Sequence, residues 1–370
     1  MKCLVAAVCL AAILCVSSPA KGGVRDDTAW LQAKLDAGGD ISLPRLPNGE
    51  CYETRGLWVS RDDTTITSDG ACVVALGPGE GRIPRGDGTF VRANAVFFVD
   101  HSDVRKPLPV RISISGLHIT VPAAKRMHGI SALGHEIRLT GLVIDGAPLT
   151  DVRVGAGAKG SGGMSGRVTL TDSALSGGQR DVVSIFGPVG LRVAGNLLSG
   201  GRGPSAAGLH IRAADRGQPT LDVQVVGNKV IGNAGPGIFL DLAPPNGLPV
   251  LASGIELVRN ELVDNARKAP PARRAAIVIA GGQNDRKGSV VLAENLFRGN
   301  RGRTLLTRRG FWVAGPAGPR TTAPSAGGAE RDDTAWLQSR LDRGGGTIFL
   351  PKLPDDACYA TRGLWVSNDQ

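Results

Sequence analysis

Aromatic side chains are scarce in this chain of 370 residues: they make up 4% of the sequence, and only two of them are Tyr. A core of this composition consists of small aliphatic side chains, and the 42% hydrophobic content is enough to form one, which excludes a disordered chain. Beyond residue 20 no apolar run is long enough to cross a bilayer, so no membrane span is expected. The 53 glycines follow no three-residue period, which excludes collagen, and they indicate frequent turns.

The first 20 residues have the composition of a signal peptide. Lys2 precedes an apolar run over residues 3–16, and small residues close the segment at Ala20. We therefore expect residues 1–20 to be removed and the mature protein to be secreted or periplasmic. The formal net charge of +10 favours an acidic partner. Outside the cytoplasm we expect a polysaccharide rather than nucleic acid as that partner, and the oligomeric state stays unknown.

Three cysteines follow the signal segment: Cys51, Cys72 and Cys358. Cys51 and Cys72 are the candidate disulfide in an oxidising compartment, because only a short loop separates them. An internal duplication accounts for the third cysteine. The sequence RDDTAWLQ occurs at 25–32 and again at 331–338, and residues 35–60 are echoed by 341–367, so Cys358 is the copy of Cys51.

The duplication predicts the domain organisation. Residues 24–76 form an N-terminal module, residues 77–312 carry shorter repeats, residues 313–330 form a flexible Pro-, Gly- and Ala-rich linker, and residues 331–370 form an incomplete second module. The copy of Cys72 would fall beyond residue 370, which favours a chain that is the front of a longer tandem protein. A deliberate C-terminal cap is the alternative.

Short alternating apolar segments recur through residues 77–312, and a polar turn follows each one. RISIS at 111–115, LRVAG at 191–195 and SVVLA at 289–293 are typical of strands. The turns align 23 to 35 residues apart at Leu117, Leu142, Ser173, Asn196, Asn228, Asn260 and Asn295. Units this short cannot bury an apolar face singly and must stack. The sequence predicts an all-β fold, a single-stranded right-handed parallel β-helix with a short N-terminal capping helix over 28–37. A sandwich or propeller is the alternative, although propeller blades repeat at about 40–50 residues.

The turn asparagines are expected to be structural. Stacking places equivalent residues of successive coils about 4.8 Å apart. Asn in a turn adopts the left-handed conformation readily and bonds along the stack. The sequence therefore predicts a ladder of Asn196, Asn228, Asn260 and Asn295.

Three segments of the N-terminal module resemble the corresponding module of the pectate lyase-like (pectin lyase-fold) superfamily: DDTAWLQAKLDAGG at 26–39, DISLP at 40–44 and TRGLWV at 54–59. The resemblance implies a β-helix and polysaccharide lyase or glycoside hydrolase chemistry. The coils lack the Asn-Thr-Asp, Asp-Asp, Gly-His-Gly and Arg-Ile-Lys set of polygalacturonase-type hydrolases. They also lack the dense acidic cluster of calcium-dependent pectate lyases. No cofactor is certain, no metal site is assigned, and a calcium requirement stays open.

A candidate site follows from aligning the second strand of each unit. Every second residue of such a strand points outwards. This places His210, Arg212 and Asp241 on the outer side of adjacent coils, with Asp181 one or two coils away. His210 would act as general base, Arg212 as a clamp for a substrate carboxylate, and Asp181 as acid or ligand. The alternative is a solvated surface on which Arg212 and Asp241 form a weak ion pair.

Other groups carry weaker signals. His118, His128 and His135 lie on early coils and are a second candidate locus, but their spacing matches no metal motif. The basic pairs at 267–268 and 273–274 are interpreted as solvated edges, and the cap tryptophans Trp30 and Trp58 as plugs of the open end.

The expected function is that of an exported polysaccharide lyase or glycoside hydrolase that acts on an acidic polysaccharide. A non-catalytic glycan-binding or adhesin-like β-helix is the alternative, and so is an inactive fragment of a longer protein.

Overall fold

The computed structural model describes residues 25–78, 82–84, 90–92, 94–100, 109–155, 166–213, 220–242, 252–281, 288–308 and 311–314. The expected signal peptide and the second module copy with Cys358 lie outside the described residues, as does the expected linker except for its first two residues.

Three parallel sheets account for almost all of the described strands. Sheet A contains β1 (Asp40–Leu43), β4 (Thr65–Ser68), β9 (Val110–Ser115), β12 (His135–Thr140), β15 (Gly166–Thr171), β18 (Val189–Ala194), β21 (Thr220–Val226), β24 (Ala252–Val258), β27 (Gly288–Ala293) and β30 (Phe311–Ala314). Sheet B contains β2 (Cys51–Thr54), β5 (Cys72–Ala75), β10 (His118–Thr120), β13 (Val143–Asp145), β16 (Ala174–Ser176), β19 (Leu197–Ser199), β22 (Lys229–Ile231), β25 (Glu261–Val263) and β28 (Leu296–Arg298). Sheet C contains β3 (Leu57–Val59), β8 (Ala95–Val99), β11 (His128–Ala132), β14 (Thr150–Val154), β17 (Asp181–Phe186), β20 (Leu209–Arg212), β23 (Ile238–Asp241), β26 (Ala275–Ala280) and β29 (Arg303–Arg308).

The remaining elements are small. An antiparallel pair, β6 (Arg82–Pro84) and β7 (Phe90–Arg92), lies between β5 and β8. Helix α1 (Thr28–Ala37) precedes the first strand, and single 3-10 turns occur at Pro47–Gly49, Ala123–Lys125 and Pro271–Arg273. None of the helices in the described part of the chain is long and apolar enough to span a bilayer.

The chain visits the sheets in the fixed order A, B, C, and each circuit is one coil of a right-handed parallel β-helix. This confirms the expected fold class. Strand β14 is one of the coil strands that the alternating pattern did not single out. Its sequence, TDVRV, holds only two apolar residues, Val152 and Val154, and its Asp151 is fully buried.

The core is a stack of aliphatic columns. On sheet A, for example, Ile112, Ile137, Val168, Leu191 and Val223 pair successively and are all almost fully buried. Since successive strands lie about 4.8 Å apart, each of these side chains packs on the equivalent side chain of the coils above and below it. Branched aliphatic residues fill such columns, which explains why so few aromatic residues are needed.

The turns from sheet A to sheet B hold an asparagine ladder. Asn196 Nδ2 donates to Asn228 Oδ1 at 2.9 Å, Asn228 Nδ2 to Asn260 Oδ1 at 2.9 Å, and Asn260 Nδ2 to Asn295 Oδ1 at 3.0 Å. The left-handed residue of each turn is the one before the asparagine, such as Gly195 (φ 68°), and not the asparagine itself, which corrects that detail of the sequence expectation. A second ladder, of Asn233, Asn265 and Asn300, follows sheet B.

Helix α1 covers the first coil. Leu31 and Leu35 are buried against the core, and the Gln32 side chain exchanges two hydrogen bonds of 2.9 Å with the backbone of Trp58, which occupies polar groups on the outer strand of sheet C. Trp30 is 44% exposed and stacks on Tyr52 at 5.8 Å between ring centroids, so it does not plug the core as expected.

A disulfide joins Cys51 and Cys72, which pair directly on neighbouring strands of sheet B.

Candidate functional site

The outer face of sheet C carries two parallel rows of side chains. The strand register stacks the first row as Arg153, Ser184, His210, Phe239, Val278 and Leu306. The second row lies two residues further along the same strands and consists of Phe186, Arg212, Asp241 and Ala280. Residues two apart on a strand point to the same side, so the two rows share one face of the sheet, on which Ser184, Phe239 and Val278 are buried.

His210 is held by Asp181 of the preceding coil. Its Nδ1 lies 3.0 Å from Asp181 Oδ2, and the other carboxylate oxygen of Asp181 accepts the backbone N–H of Ala207 at 3.0 Å. Asp181 accepts both bonds as a carboxylate, so Nδ1 of His210 carries the proton. The aspartate therefore sets both the orientation and the tautomer of the imidazole.

The other imidazole nitrogen is buried and unsatisfied. Among the described residues, Nε2 of His210 has no hydrogen-bond partner, and the carboxylate oxygen Asp241 Oδ2 is 3.9 Å away, which is too far for a hydrogen bond. The side chain of His210 is only 8% exposed. A buried nitrogen without a partner is costly, so it needs an explanation, of which a catalytic role and a bound water or ion are examples.

The pKa of His210 is raised above its ordinary value. Burial is the largest single influence and by itself lowers this pKa, but the interactions with Asp181 and Asp241 and the negative charge of Asp181 together outweigh it. The nearby charge of Arg212 opposes them only weakly. The imidazole therefore holds its proton to a higher pH than a free histidine.

Aromatic rings position the charged groups around this histidine. Phe239 stacks on the His210 ring with centroids 4.5 Å apart, and the Arg273 guanidinium lies 4.8 Å from the Phe239 centroid. The guanidinium groups of Arg212 and Arg153 lie 5.0 and 5.5 Å from the centroid of Phe186. Such cation–π contacts hold the arginines in place without neutralising their charge.

The structure brings His210, Asp181 and Asp241 together, with Arg212 beside them on the same strand. The ion pair between Arg212 and Asp241, which was the alternative to a site, is not formed: across the described residues, the only cationic group within 4 Å of Asp241 is His210. Arg153 belongs to the same surface but escaped the sequence analysis, because strand β14 was not recognised. The alternation of Val152 and Val154 with polar residues in TDVRV was the signal that could have identified this strand.

The three early histidines do not form a site. His118 lies on sheet B, His128 on sheet C and His135 on sheet A. His128 is buried, and this burial, followed by the charge of Arg153, lowers its pKa to about 3. It is therefore a neutral residue of the structure. In the described part of the chain, no three His, Cys, Asp or Glu side chains converge as a metal site would require.

No protein-family model and no curated protein matches the chain. Solved structures match at the level of the fold. Tailspike protein 2 from Escherichia coli O157:H7 bacteriophage CAB120 is 13% identical over 80% of this chain, with a TM-score of 0.46, and this chain spans only 41% of that protein. The A-module of mannuronan C-5 epimerase AlgE6 from Azotobacter vinelandii is 14% identical, with 81% of this chain and 97% of that module covered and a TM-score of 0.38. The surface protein and adhesin PfbA of Streptococcus pneumoniae is 12% identical, with coverages of 79% and 97% and a TM-score of 0.33.

Proposed function

We propose that this protein acts on an acidic polysaccharide on the outer face of sheet C, with His210 as the acid–base group. The observation that carries the proposal is the unsatisfied Nε2 of His210, which lies beside Asp241 on an imidazole that Asp181 orients through Nδ1. The tautomer that Asp181 imposes leaves the lone pair of Nε2 available when the ring is neutral.

The reaction best suited to these groups is β-elimination on a uronic acid. Neutral His210 takes the proton from the sugar carbon next to the carboxylate, and the freed electron pair forms a carbon–carbon double bond. The glycosidic oxygen at the neighbouring carbon leaves with the bonding pair and receives the same proton back from the imidazolium. Arg212, about 7 Å along the strand, neutralises the substrate carboxylate and so favours loss of the proton.

The sequence resemblance supports the same proposal. The N-terminal module resembles that of the pectate lyase-like superfamily, and we extend the proposal to membership of that superfamily and to export directed by residues 1–20.

The second candidate is glycan binding without chemistry. The low exposure of His210, at 8% of its side chain, and the burial of Phe239 favour it, since a catalytic nitrogen has to reach the substrate.

A substrate screen tests the proposal. The protein is incubated with pectate, alginate, hyaluronan and neutral glycans, with and without calcium, while absorbance at 235 nm and reducing ends are measured. A rise at 235 nm on an acidic polymer supports elimination. Reducing ends without that absorbance indicate hydrolysis and overturn the elimination step, and binding without any product supports the second candidate.

Two variants assign the chemistry to the site. His210→Ala is expected to abolish product formation, whereas His118→Ala, which removes an exposed histidine from sheet B, is expected to leave it unchanged. Equal activity of the two variants would contradict the role of His210.

A further inference from the structure

A shallow cleft lies on the same face of the β-helix, away from His210. It has a volume of about 410 Å³, and its lining residues are Pro271, Ala272, Arg274, Gly302, Arg303 and Leu306. Leu306 belongs to the first row, three coils beyond His210 by way of Phe239 and Val278. At about 4.8 Å a coil the two places are roughly 14 Å apart, so the cleft is separate from the acid–base group.

The charge of the cleft is positive and not compensated. Arg274 and Arg303 line it, Arg273 lies beside it, and none of the three forms an ion pair with a described carboxylate. Arg274 uses only its Nε, which donates to the carbonyl of Ala269 at 3.1 Å. This bond anchors the side chain, and its terminal N–H groups stay available for a ligand.

Arg274 and Arg303 differ in exposure. Arg303 pairs with Ala275 on the strand next to it and is exposed, whereas Arg274 is half-buried. A planar guanidinium binds carboxylate or sulfate through two parallel hydrogen bonds, which a solvated lysine does not reproduce. Arg274 is therefore part of a cleft and not only of a solvated edge.

We propose that this arginine cleft, formed by Arg274 and Arg303, is an anion subsite that binds a carboxylate or sulfate of the same polysaccharide chain that His210 acts on. This inference rests on the proposed function. The chain would lie across the strands of sheet C, in the direction that leads from His210 to the cleft. Because the separation of roughly 14 Å exceeds one sugar unit, the protein requires an acidic oligosaccharide and not a monosaccharide.

An acidic glycan fits this surface better than a nucleic acid. Single-stranded nucleic acid is bound by aromatic side chains that stack on bases, and the lining of the cleft contains none. The floor is aliphatic, from Leu306, with the charges at the rim.

Calorimetric titration with size-defined oligogalacturonate and with sulfated and neutral oligosaccharides of equal length tests the inference. Arg303→Ala is expected to weaken binding of the acidic oligomers about tenfold, the loss of one charge-assisted hydrogen-bond pair. Arg301→Ala, a neighbouring exposed arginine outside the cleft, is the matched control and is expected to change binding less than twofold. Circular dichroism confirms that both variants are folded.

The possible outcomes separate the anion subsite from the catalytic proposal. Equal affinities of the Arg303→Ala and Arg301→Ala variants, or equal binding of neutral oligomers, would overturn the anion subsite while leaving product formation at His210 intact. Arg303-dependent binding of acidic oligomers without product on any polymer supports the subsite and overturns the catalytic proposal. Competition by single-stranded DNA at the same affinity would overturn the assignment to a glycan.

Discussion

Buried polar side chains of this protein are of two kinds: most have all their polar atoms hydrogen-bonded, and a few have an atom without a partner in the described part of the chain. The ladder asparagines satisfy every polar atom: Asn228, for example, donates to Val193 and to Asn260 and accepts two hydrogen bonds from Asn196. By contrast, three buried side-chain atoms in the described part of the chain have no hydrogen-bond partner: His210 Nε2, Asp151 Oδ2 and Thr220 Oγ1. Structural polar residues are paired because an unpaired one costs about 1–3 kcal/mol, so the three exceptions need a separate explanation.

Substitution of a ladder asparagine is expected to lower the free energy of unfolding more in the middle of the ladder than at its end. Asn228→Ala removes four buried hydrogen bonds and is expected to lower the free energy of unfolding by about 3 kcal/mol or more. Asn295→Ala, at the half-buried last rung, removes fewer bonds and lets water replace them, so we expect about 1 kcal/mol. Urea denaturation of both variants checks this order, and equal losses would contradict it.

The Asp181–His210 pair predicts a pH profile. If neutral His210 is the base, kcat/KM rises with pH through a pKa above 6.5, because the proton has to leave before the ring can accept another. Asp181→Asn removes the charge that holds this proton, so the rising limb is expected to move to lower pH. A merely structural role of Asp181 would lower activity without moving the limb.

Strand β14 contains a carboxyl group, that of Asp151, that is buried in the folded protein. Asp151 is fully buried, and this burial raises its pKa well above the ordinary value of 3.8, although the hydrogen bond from the Ala147 backbone opposes the shift. The native state therefore keeps its proton to a higher pH than the unfolded chain does. Stability contributed by this group falls as pH rises from about 3.8 towards the native pKa.

Substitution of Asp151 is expected to remove this pH dependence. Asp151→Asn keeps the acceptor for Ala147 but cannot ionise, so its advantage over the native sequence in thermal unfolding grows from pH 4 to pH 8. Asp172→Asn, at an exposed position in a turn, is the control and is expected to show no such trend. A constant difference across this pH range would contradict the assignment.

The whole molecule is a stack in which each strand pairs mainly with the equivalent strands of the preceding and following coils. Stability in such an array is a sum over neighbouring coils, so a local weakness stays local. The disulfide between Cys51 and Cys72 closes a loop of 21 residues within the first two coils, which is worth about 3 kcal/mol to those coils.

Removal of the disulfide is therefore expected to destabilise the first coils and not the later ones. In the Cys51→Ala, Cys72→Ala double variant, hydrogen exchange is expected to accelerate in α1, β2 and β5 and to stay unchanged in β20, β23 and β26. Exchange measured by mass spectrometry distinguishes the two regions. Uniform acceleration along the chain would show that the β-helix unfolds as one cooperative unit.

The sequence by itself determined the fold. Alternating strands and turn residues recurring at 23 to 35 residues favour a stacked arrangement over a sandwich or propeller, and the same pattern predicts the register that aligns His210 with Phe239 and Arg212 with Asp241. Strand β14 was missed because only two apolar residues, Val152 and Val154, mark it, and Arg153 was missed with it.

Only the tertiary structure decided which of the aligned groups interact. Register places side chains on a face, but the choice of partner depends on distances of about 1 Å: His210 bonds Asp181 rather than Asp241, and Arg212 contacts Phe186 rather than an acid. The arginine cleft likewise brings together residues 271–274 and 302–306, from a loop and a strand of successive coils. Such contacts arise from the folding of loops over the sheet, which a period-two pattern does not encode.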